Sequence, residues 1–244
     1  MKRYYYDLHV HSCLSPCGDD DNTPCNIAGM AKLCGLDIVA LTDHNSCKNC
    51  PSFFEAARRH GIIPLAGMEL TTSEDIHVVC LFERLSDALA FDDYVDSCRS
   101  KIKNKPEFFG RQIILDGEDN EVGEVDSLLI NASSISITDV KKTVEGFGGI
   151  CYPAHIDRES NGIIAVLGTL PDDTAFDYYE LYDGSRVDEY SAKYDIAKDR
   201  FIIDSDSHYL TDMRDKENYL ELEDEPCEEL LVSRIFDYLR RPRQ

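Results

Sequence analysis

Tyr4-Tyr5-Tyr6-Asp7-Leu8-His9-Val10-His11 decides how the rest of the chain is read. Aromatic and apolar residues run straight into two histidines with one residue between them. On a β-strand, residues i and i+2 point to the same face. His9 and His11 therefore aim both imidazoles at one point. Two neutral imidazoles converging at a strand end make a chelating pair for a transition metal. His44, Glu69, His77, His155, Asp206 and His208 follow, each near the end of an apolar, strand-like run. This recurrence makes a multinuclear metal site the leading reading.

Outward from that strand (residues 4–10), apolar runs alternate with helical patterns. Residues 24–34 read as a helix with Thr23 as N-cap, Pro24 in the first turn and Gly35 just past the end. Residues 37–42 form a continuous apolar strand of the type buried on both faces. Residues 51–60 are a second helix closed by Gly61, residues 62–70 and 76–82 are strands, and residues 87–100 are helical. Residues 111–115 and 121–130 read as a hairpin around the polar turn 116–120. A helix over 138–146 leads to a strand over 149–154. Residues 176–181, 189–195 and 200–203 repeat strand, helix, strand, and residues 228–240 close as an amphipathic helix. Repeated β-α units imply a largely parallel sheet, open or closed into a barrel. In such barrels the site lies at the C-terminal ends of the strands, where every candidate ligand falls except His77, which sits near the start of its run.

The 244 residues suit one large domain. Asp and Glu total 47 against 25 Lys and Arg, a formal charge of -22. That field repels a nucleic-acid duplex, whose binding depends on neutralising phosphates. Small substrates, or short single strands gripped locally, fit better. Residues 116–126 and 221–229 read as solvated acidic loops or faces. No apolar run is long enough for a transmembrane helix, and Lys2 and Arg3 are followed by polar residues rather than a signal sequence. A cytoplasmic protein with reduced thiols is expected for the ten cysteines. Cys13, Cys17, Cys25, Cys47 and Cys50 concentrate near the site loops. Cys47-Lys48-Asn49-Cys50 has the spacing of a zinc or redox pair, but with no second pair following it reads as core and loop thiols.

Five segments occur in order: Asp7-Leu8-His9-Val10-His11-Ser12, Leu41-Thr42-Asp43-His44-Asn45, Gly67-Met68-Glu69-Leu70, Pro153-Ala154-His155 and Asp204-Ser205-Asp206-Ser207-His208. Together they resemble the PHP (polymerase and histidinol phosphatase) superfamily of metal-dependent phosphoesterases. The resemblance implies an α/β fold, a distorted (β/α)7 barrel, here as a single domain over residues 1–244 with a small hairpin insertion at about residues 108–131. It also implies two to three divalent metal ions at the C-terminal face. His9, His11, Glu69 and Asp206 would hold one, and Glu69, His77 and His155 a second, with Glu69 bridging. His44, His208 and an aspartate would hold the third. The family often has Ser-Asp-Gly after its first motif; this chain reads Ser15-Pro16-Cys17-Gly18-Asp19-Asp20-Asp21. Counting back from Pro24 favours Asp19 as the aspartate, and other loop registers allow Asp20 or Asp21.

The chemistry fits the residue types. Hydrolysis of a phosphate ester needs a nucleophilic hydroxide at neutral pH and positive charge around the phosphoryl oxygens, which clustered divalent ions provide. Mixed His and carboxylate ligands suit Zn, Mn or Fe better than Mg or Ca. Arg158, on the loop after His155, is the candidate phosphate clamp, since a planar guanidinium binds phosphate oxygens bidentately; the alternative is a surface salt bridge. Asp43 is a candidate partner of the ligands or a general acid/base beside His44, the alternative being a cap. His60, at a helix end, reads as structural. The expected function is metal-dependent hydrolysis of a small phosphate monoester or diester, such as a nucleotide. The alternatives are a 5'-3' exonuclease acting on short single strands, a histidinol-phosphatase-like enzyme, a metal-dependent C–N hydrolase, and a non-catalytic metal-binding module. The exonuclease needs a basic and aromatic track, for which Lys101, Lys103, Lys105, Phe108, Phe109 and Arg111 are the local candidate.

Overall fold

The computed structural model describes residues 1–171 and 176–240. The strands are β1 (Lys2–Val10), β2 (Ile38–Leu41), β3 (Ile63–Thr71), β4 (His77–Phe82), β5 (Ile113–Leu115), β6 (Glu121–Glu124), β7 (Gly149–Pro153), β8 (Tyr179–Leu181), β9 (Phe201–Ile203) and β10 (Tyr219–Leu222). The helices are α1 (Pro24–Cys34), α2 (Cys50–His60), α3 (Leu85–Cys98), α4 (Pro106–Phe109), α5 (Ile137–Gly146), α6 (Ile163–Leu167), α7 (Val187–Tyr194) and α8 (Glu228–Arg240). α1 keeps its expected limits: the Thr23 side chain accepts from the Asn26 amide, and Gly35 takes the left-handed φ of 74° that closes the helix. None of the described helices is long and apolar enough to cross a membrane.

Six strands form one curled sheet in the order β10-β1-β2-β3-β4-β7, and β8 and β9 form a separate parallel pair. Two contacts continue the curl. The Ile156 amide donates to the Glu180 carbonyl at 2.9 Å, and Val10 bridges Ser207 in parallel register. The fold is therefore the expected α/β type, but the strict β-α repeat is broken. β1, β2 and β3 are parallel neighbours, whereas β4 runs antiparallel to both β3 and β7. A tight turn over residues 72–76, not a helix, joins β3 to β4, with the Thr72 amide bonded to the Ile76 carbonyl.

Strand alternation sorts the core into two clusters. Tyr4, Tyr6, Leu8, Ile38, Ala40, Leu65, Val79, Leu81, Tyr152 and Ile202 share one cluster with Ile235 and Phe236 of α8. Val39, Leu41, Ala66, Met68, Val78 and Cys80 face the other, against α1, α2, α3 and α5. Ile235 and Phe236 are fully buried, and each stabilises the fold by roughly 1.5–3 kcal/mol relative to exposure. The hairpin β5–β6 forms around the expected turn, with the Asp116 carboxylate accepting the Glu118 and Asn120 amides. Asn49 pins it to the body by accepting from the Leu115 amide and donating to the Ile113 carbonyl. Residues 221–229 are largely exposed, as a solvated face, but they are not all loop. Glu221 and Leu222 belong to β10, which pairs antiparallel with β1, and Glu228 and Glu229 begin α8.

Candidate metal centre

His9 is aimed by an irregularity in β1. Asp7 opposes Val39 and Val10 opposes Leu41, so three steps of β1 match two of β2. Such a bulge resets the alternation of side chains. Tyr4, Tyr6 and Leu8 thus share a face, and His9 and His11 follow on it rather than on the opposite one. Glu69 has the parity of Leu65 in β3. His77 has the parity of Val79 in β4, and the antiparallel direction of β4 places His77 opposite Thr71, beside the C-terminal end of β3. His77 therefore joins the site although it begins its strand.

Glu69 is the hub. One carboxylate oxygen lies 2.8 Å from His77 Nδ1, 3.1 Å from His155 Nε2 and 3.3 Å from His9 Nε2. The other lies 2.9 Å from His44 Nδ1 and 3.3 Å from His11 Nε2. Asp206 Oδ1 sits 3.4 Å from His9 Nε2 and 3.3 Å from His11 Nε2. Three overlapping groups have ligand atoms within 4.8 Å of one another: His9, His11, Glu69 and Asp206; His44, Glu69 and His77; and His11, His44 and His208. His155 completes the surroundings of Glu69. His155 and Asp206 adopt positive φ values of 29° and 50°, sparsely populated conformations that concentrate where function demands a particular side-chain aim.

The candidate ligands are oriented from behind. His9 Nδ1 is 2.9 and 3.0 Å from the two oxygens of Glu180, which is fully buried on β8. This pairing keeps the proton on Nδ1 and leaves the Nε2 lone pair for the site. His11 Nδ1 is 3.0 Å from Ser15 Oγ, which donates to Asp43 at 2.7 Å. Asp43 also accepts from the Ser12 amide and hydroxyl at 2.7 Å each. Its carboxylate is therefore engaged with the β1 loop, and it reaches the His11 ring through Ser15. Asp7 and Asp204 stitch β9 to β1: Asp7 accepts the Ser205 amide at 3.1 Å, and Asp204 the Leu8 amide at 2.7 Å. Burial, with Glu180 and Asp7 close by, holds Asp204 well above the ordinary carboxylate range.

Burial raises the cost of charge on Glu69, but His77, His9 and His44 outweigh it and draw its pKa well below the usual value. Asp206 is lowered likewise, its burial overcome by His9 and His11. Burial opposes charge on His9 and His44, yet the surrounding acidic groups lift both well above an ordinary histidine. For His77 burial prevails, and its pKa falls to about 4. Glu69 Oε2, Asp206 Oδ1 and His44 Nδ1 are buried and, for all their close approaches to one another and to His11, make no hydrogen bond of proper geometry. Buried lone pairs of this kind, converging with mixed nitrogen and oxygen character, fit divalent cations.

Arg158 donates to Asp206 Oδ2 at the rim of the cluster, and its guanidinium lies 4.1 Å above the Tyr182 ring. Asp19 and Asp21 are in none of the three groups among the described residues. The Asp19 carboxylate accepts the Asp21 amide at 2.9 Å, and Asp20 and Asp21 are exposed. Cys17 instead faces the histidines, its sulfur 3.1 Å from His44 Nε2. Cys17 is an exposed residue; desolvation of its sulfur against the cluster pushes the thiol up, but His44, His208 and His11 more than offset this, and its pKa falls to about 5. Cys47 and Cys50 are buried in the core, their sulfurs directed to the Gly67 and Leu41 carbonyls, and belong to none of these groups.

The family model for the PHP domain matches residues 7–146. That span contains His9, His11, His44, Glu69 and His77; the fold adds His155, Asp206 and His208 from beyond it. A PolC-type DNA polymerase III from Thermotoga maritima is 35% identical over 88 residues, 36% of this chain and 6% of the polymerase. The crystal structure of the lesion-specific endonuclease Q from Pyrococcus furiosus superposes with a TM-score of 0.67 at 18% identity, covering 94% of this chain and 55% of the endonuclease. A structure from Bifidobacterium adolescentis, described as a metal-dependent phosphoesterase, gives a TM-score of 0.59 at 19% identity, covering 84% and 88%. The chain thus spans a small part of the polymerase and about half of the endonuclease. At these identities the structural likeness establishes a shared fold.

Proposed function

The chain belongs to the PHP domain family, and from that premise we propose that it is a metal-dependent phosphoesterase that hydrolyses a small phosphate monoester or diester, such as a nucleotide. The observation that carries the proposal is Glu69, whose two oxygens lie within 3.3 Å of ring nitrogens of His77, His155, His9, His44 and His11. His9, His11, Glu69 and Asp206 would hold one divalent ion, Glu69, His77 and His155 a second, and His44 and His208 belong to a third position. Zn, Mn or Fe suits these ligands. Such ions, when bound, would lower the pKa of water and neutralise charge on a phosphoryl group.

The remaining roles fall to the chain's own side chains. Glu180 and Ser15 fix the ring orientation of His9 and His11. Asp43 is a positioning residue, because its carboxylate is engaged with Ser12 and Ser15. Arg158 offers a guanidinium at the open side of the cluster, where it would bind phosphoryl oxygens; stacking on Tyr182 restricts its motion and lowers the entropy lost on binding. Purified protein should hydrolyse members of a panel of phosphate monoesters, cyclic diesters, nucleotides and short oligonucleotides with Mn or Zn. Absence of turnover on every ester, with metal bound, would support the non-catalytic module instead.

One observation favours a second reading, a nuclease for short single strands. Phe108 is 76% exposed and Phe109 37%, on a segment tied to the β1 loop by the bond from the Ile113 amide to the Cys13 carbonyl. Exposed Lys103 and Lys105 lie on the same segment. Arg111 does not join that track, because Glu121 and Glu124 hold its guanidinium. Preference for oligonucleotides over mononucleotides, lost in Phe108→Ala, would select this reading.

A further inference from the structure

We propose that Cys17 is a metal ligand, binding as a thiolate together with His44 and His208. The proposal rests on the metal-dependent reading above and adds one ligand to it. The sulfur is 3.1 Å from His44 Nε2, and the His44 ring lies 6.0 Å, centroid to centroid, from that of His208. The rings of His11 and His208 stack with centroids 4.2 Å apart, and those of His11 and His44 lie 4.6 Å apart. The cysteine therefore stands against a group of three histidines that already satisfies metal-ligand spacing. That group contains no anionic ligand of its own. Glu69 and Asp206 serve the neighbouring positions; of the loop aspartates, Asp19 accepts the Asp21 amide, Asp20 and Asp21 are exposed, and none belongs to the three groups among the described residues.

The loop that carries Cys17 is built to hold it there. The Ser15 amide bonds to the Ser12 carbonyl at 3.0 Å, the Gly18 amide to the Ser15 carbonyl at 2.9 Å, and the Asp19 amide to the His208 carbonyl at 3.0 Å. A Cβ at position 18 would come within 2.4 Å of the Ser12 carbonyl oxygen, so only glycine lets this turn close. The last of these bonds joins the loop directly to the backbone of His208. Cys17 is thereby held against His44 by a loop tied to His208 rather than carried on a free loop.

Binding is balanced as one proton released when the thiol exchanges its S–H bond for a sulfur–metal bond. A thiolate with two imidazoles selects Zn, Co or Fe over Mn, because soft sulfur ligands disfavour the harder ion. The inferred consequence is a mixed centre: a thiolate position tuned to zinc-like ions beside two His/carboxylate positions that accept manganese.

The test is cobalt substitution of the full chain, read by absorption and by metal stoichiometry. Thiolate ligation gives a near-ultraviolet sulfur-to-cobalt charge-transfer band that imidazole and carboxylate ligation does not. Wild-type protein should show the band, and Cys227→Ser, at an exposed cysteine remote in sequence from the site, should retain it. Cys17→Ser should lose the band and one equivalent of cobalt. Cys17→Asp should lose the band while keeping the equivalent, with retention shifted towards manganese, which shows that the loop still folds. A band that persists in Cys17→Ser, or full cobalt loading of wild type without any band, would overturn the ligand while leaving the metal-dependent reading intact. Failure of wild type to bind cobalt at all would overturn both.

Discussion

Replacing Glu180 by glutamine tests how strongly the buried partner of a ligand controls the site. Glu180 is fully buried, and both of its oxygens lie about as close to His9 Nδ1 as a hydrogen bond requires, at 2.9 and 3.0 Å. In the native protein it can only accept, so it enforces the tautomer that presents Nε2 to the site. Glutamine keeps the volume but loses the charge, and its NH2 can face Nδ1 and favour the wrong tautomer. A hydrogen bond to a charged group contributes about 1.5–3 kcal/mol and a neutral one about 0.5–1.5 kcal/mol. The difference, about 1–1.5 kcal/mol, corresponds to roughly tenfold weaker metal binding at the His9 position, at the lower end of the 10–100-fold typical for such partners. Competition against a chromophoric chelator measures it directly, with circular dichroism confirming the fold. Affinity within twofold of wild type in a folded Glu180→Gln protein would refute the claim that Glu180 tunes His9.

Other substitutions separate the remaining roles. Arg158→Ala should leave metal content unchanged and lower kcat/KM on the best ester by about 2–4 kcal/mol, with Arg158→Lys recovering only part of it; wild-type kinetics in Arg158→Ala would assign the residue to a salt bridge and reopen C–N hydrolysis. Asp43→Asn should cost about 1.5–3 kcal/mol of stability by weakening the bonds to Ser12 and Ser15, and should keep the wild-type pH–rate profile; loss of one limb of that profile would instead make Asp43 a general acid or base. Burial opposes charge on His9 and His44, but Glu180 and Glu69 at His9, and Cys17 and Glu69 at His44, raise both pKa values in the metal-free protein. Their contribution to stability is complete below the unfolded value of about 6.5 and is lost as pH rises through the raised values. Bound metal must displace those protons, so the stabilisation by added zinc should grow between about pH 6 and about pH 8, by about 1.4 kcal/mol per pH unit for each proton displaced; a zinc-induced Tm shift that is flat over this range would contradict the assignment.

The cluster of histidines and carboxylates was legible because its members sit at strand ends, where the residue types stand out against apolar runs. The reason His9 faces the site was not. Simple alternation from Tyr4, Tyr6 and Leu8 would turn it away, and the bulge against β2 depends on pairing that sequence does not display. His77 was uncertain for a similar reason. The direction of β4 is set by the turn over residues 72–76 and by its two antiparallel neighbours, while repeated β-α units suggest parallel strands. Glu180 went unread, although a single carboxylate between Tyr179 and Leu181 in a buried strand signals a paired charge. The strand β10 was hidden by acidic neighbours despite the alternation of Tyr219, Leu220, Glu221 and Leu222. The extra residue in the Ser15–Gly18 loop makes Asp19, or else Asp20 or Asp21, the expected partner of His44 and His208, while the fold presents Cys17 to His44.

Metal content and turnover of Glu69→Gln, measured beside wild type, test the central claim most directly. Wild-type protein purified without chelator should carry about two to three equivalents of transition metal per chain, lose ester hydrolysis in chelator and regain it with Mn or Zn. Glu69→Gln keeps the volume of the hub but removes its charge, and should cut turnover by at least about a hundredfold with less metal retained. Full hydrolysis by metal-free protein, or near-normal turnover of Glu69→Gln with a full metal complement, would contradict the account.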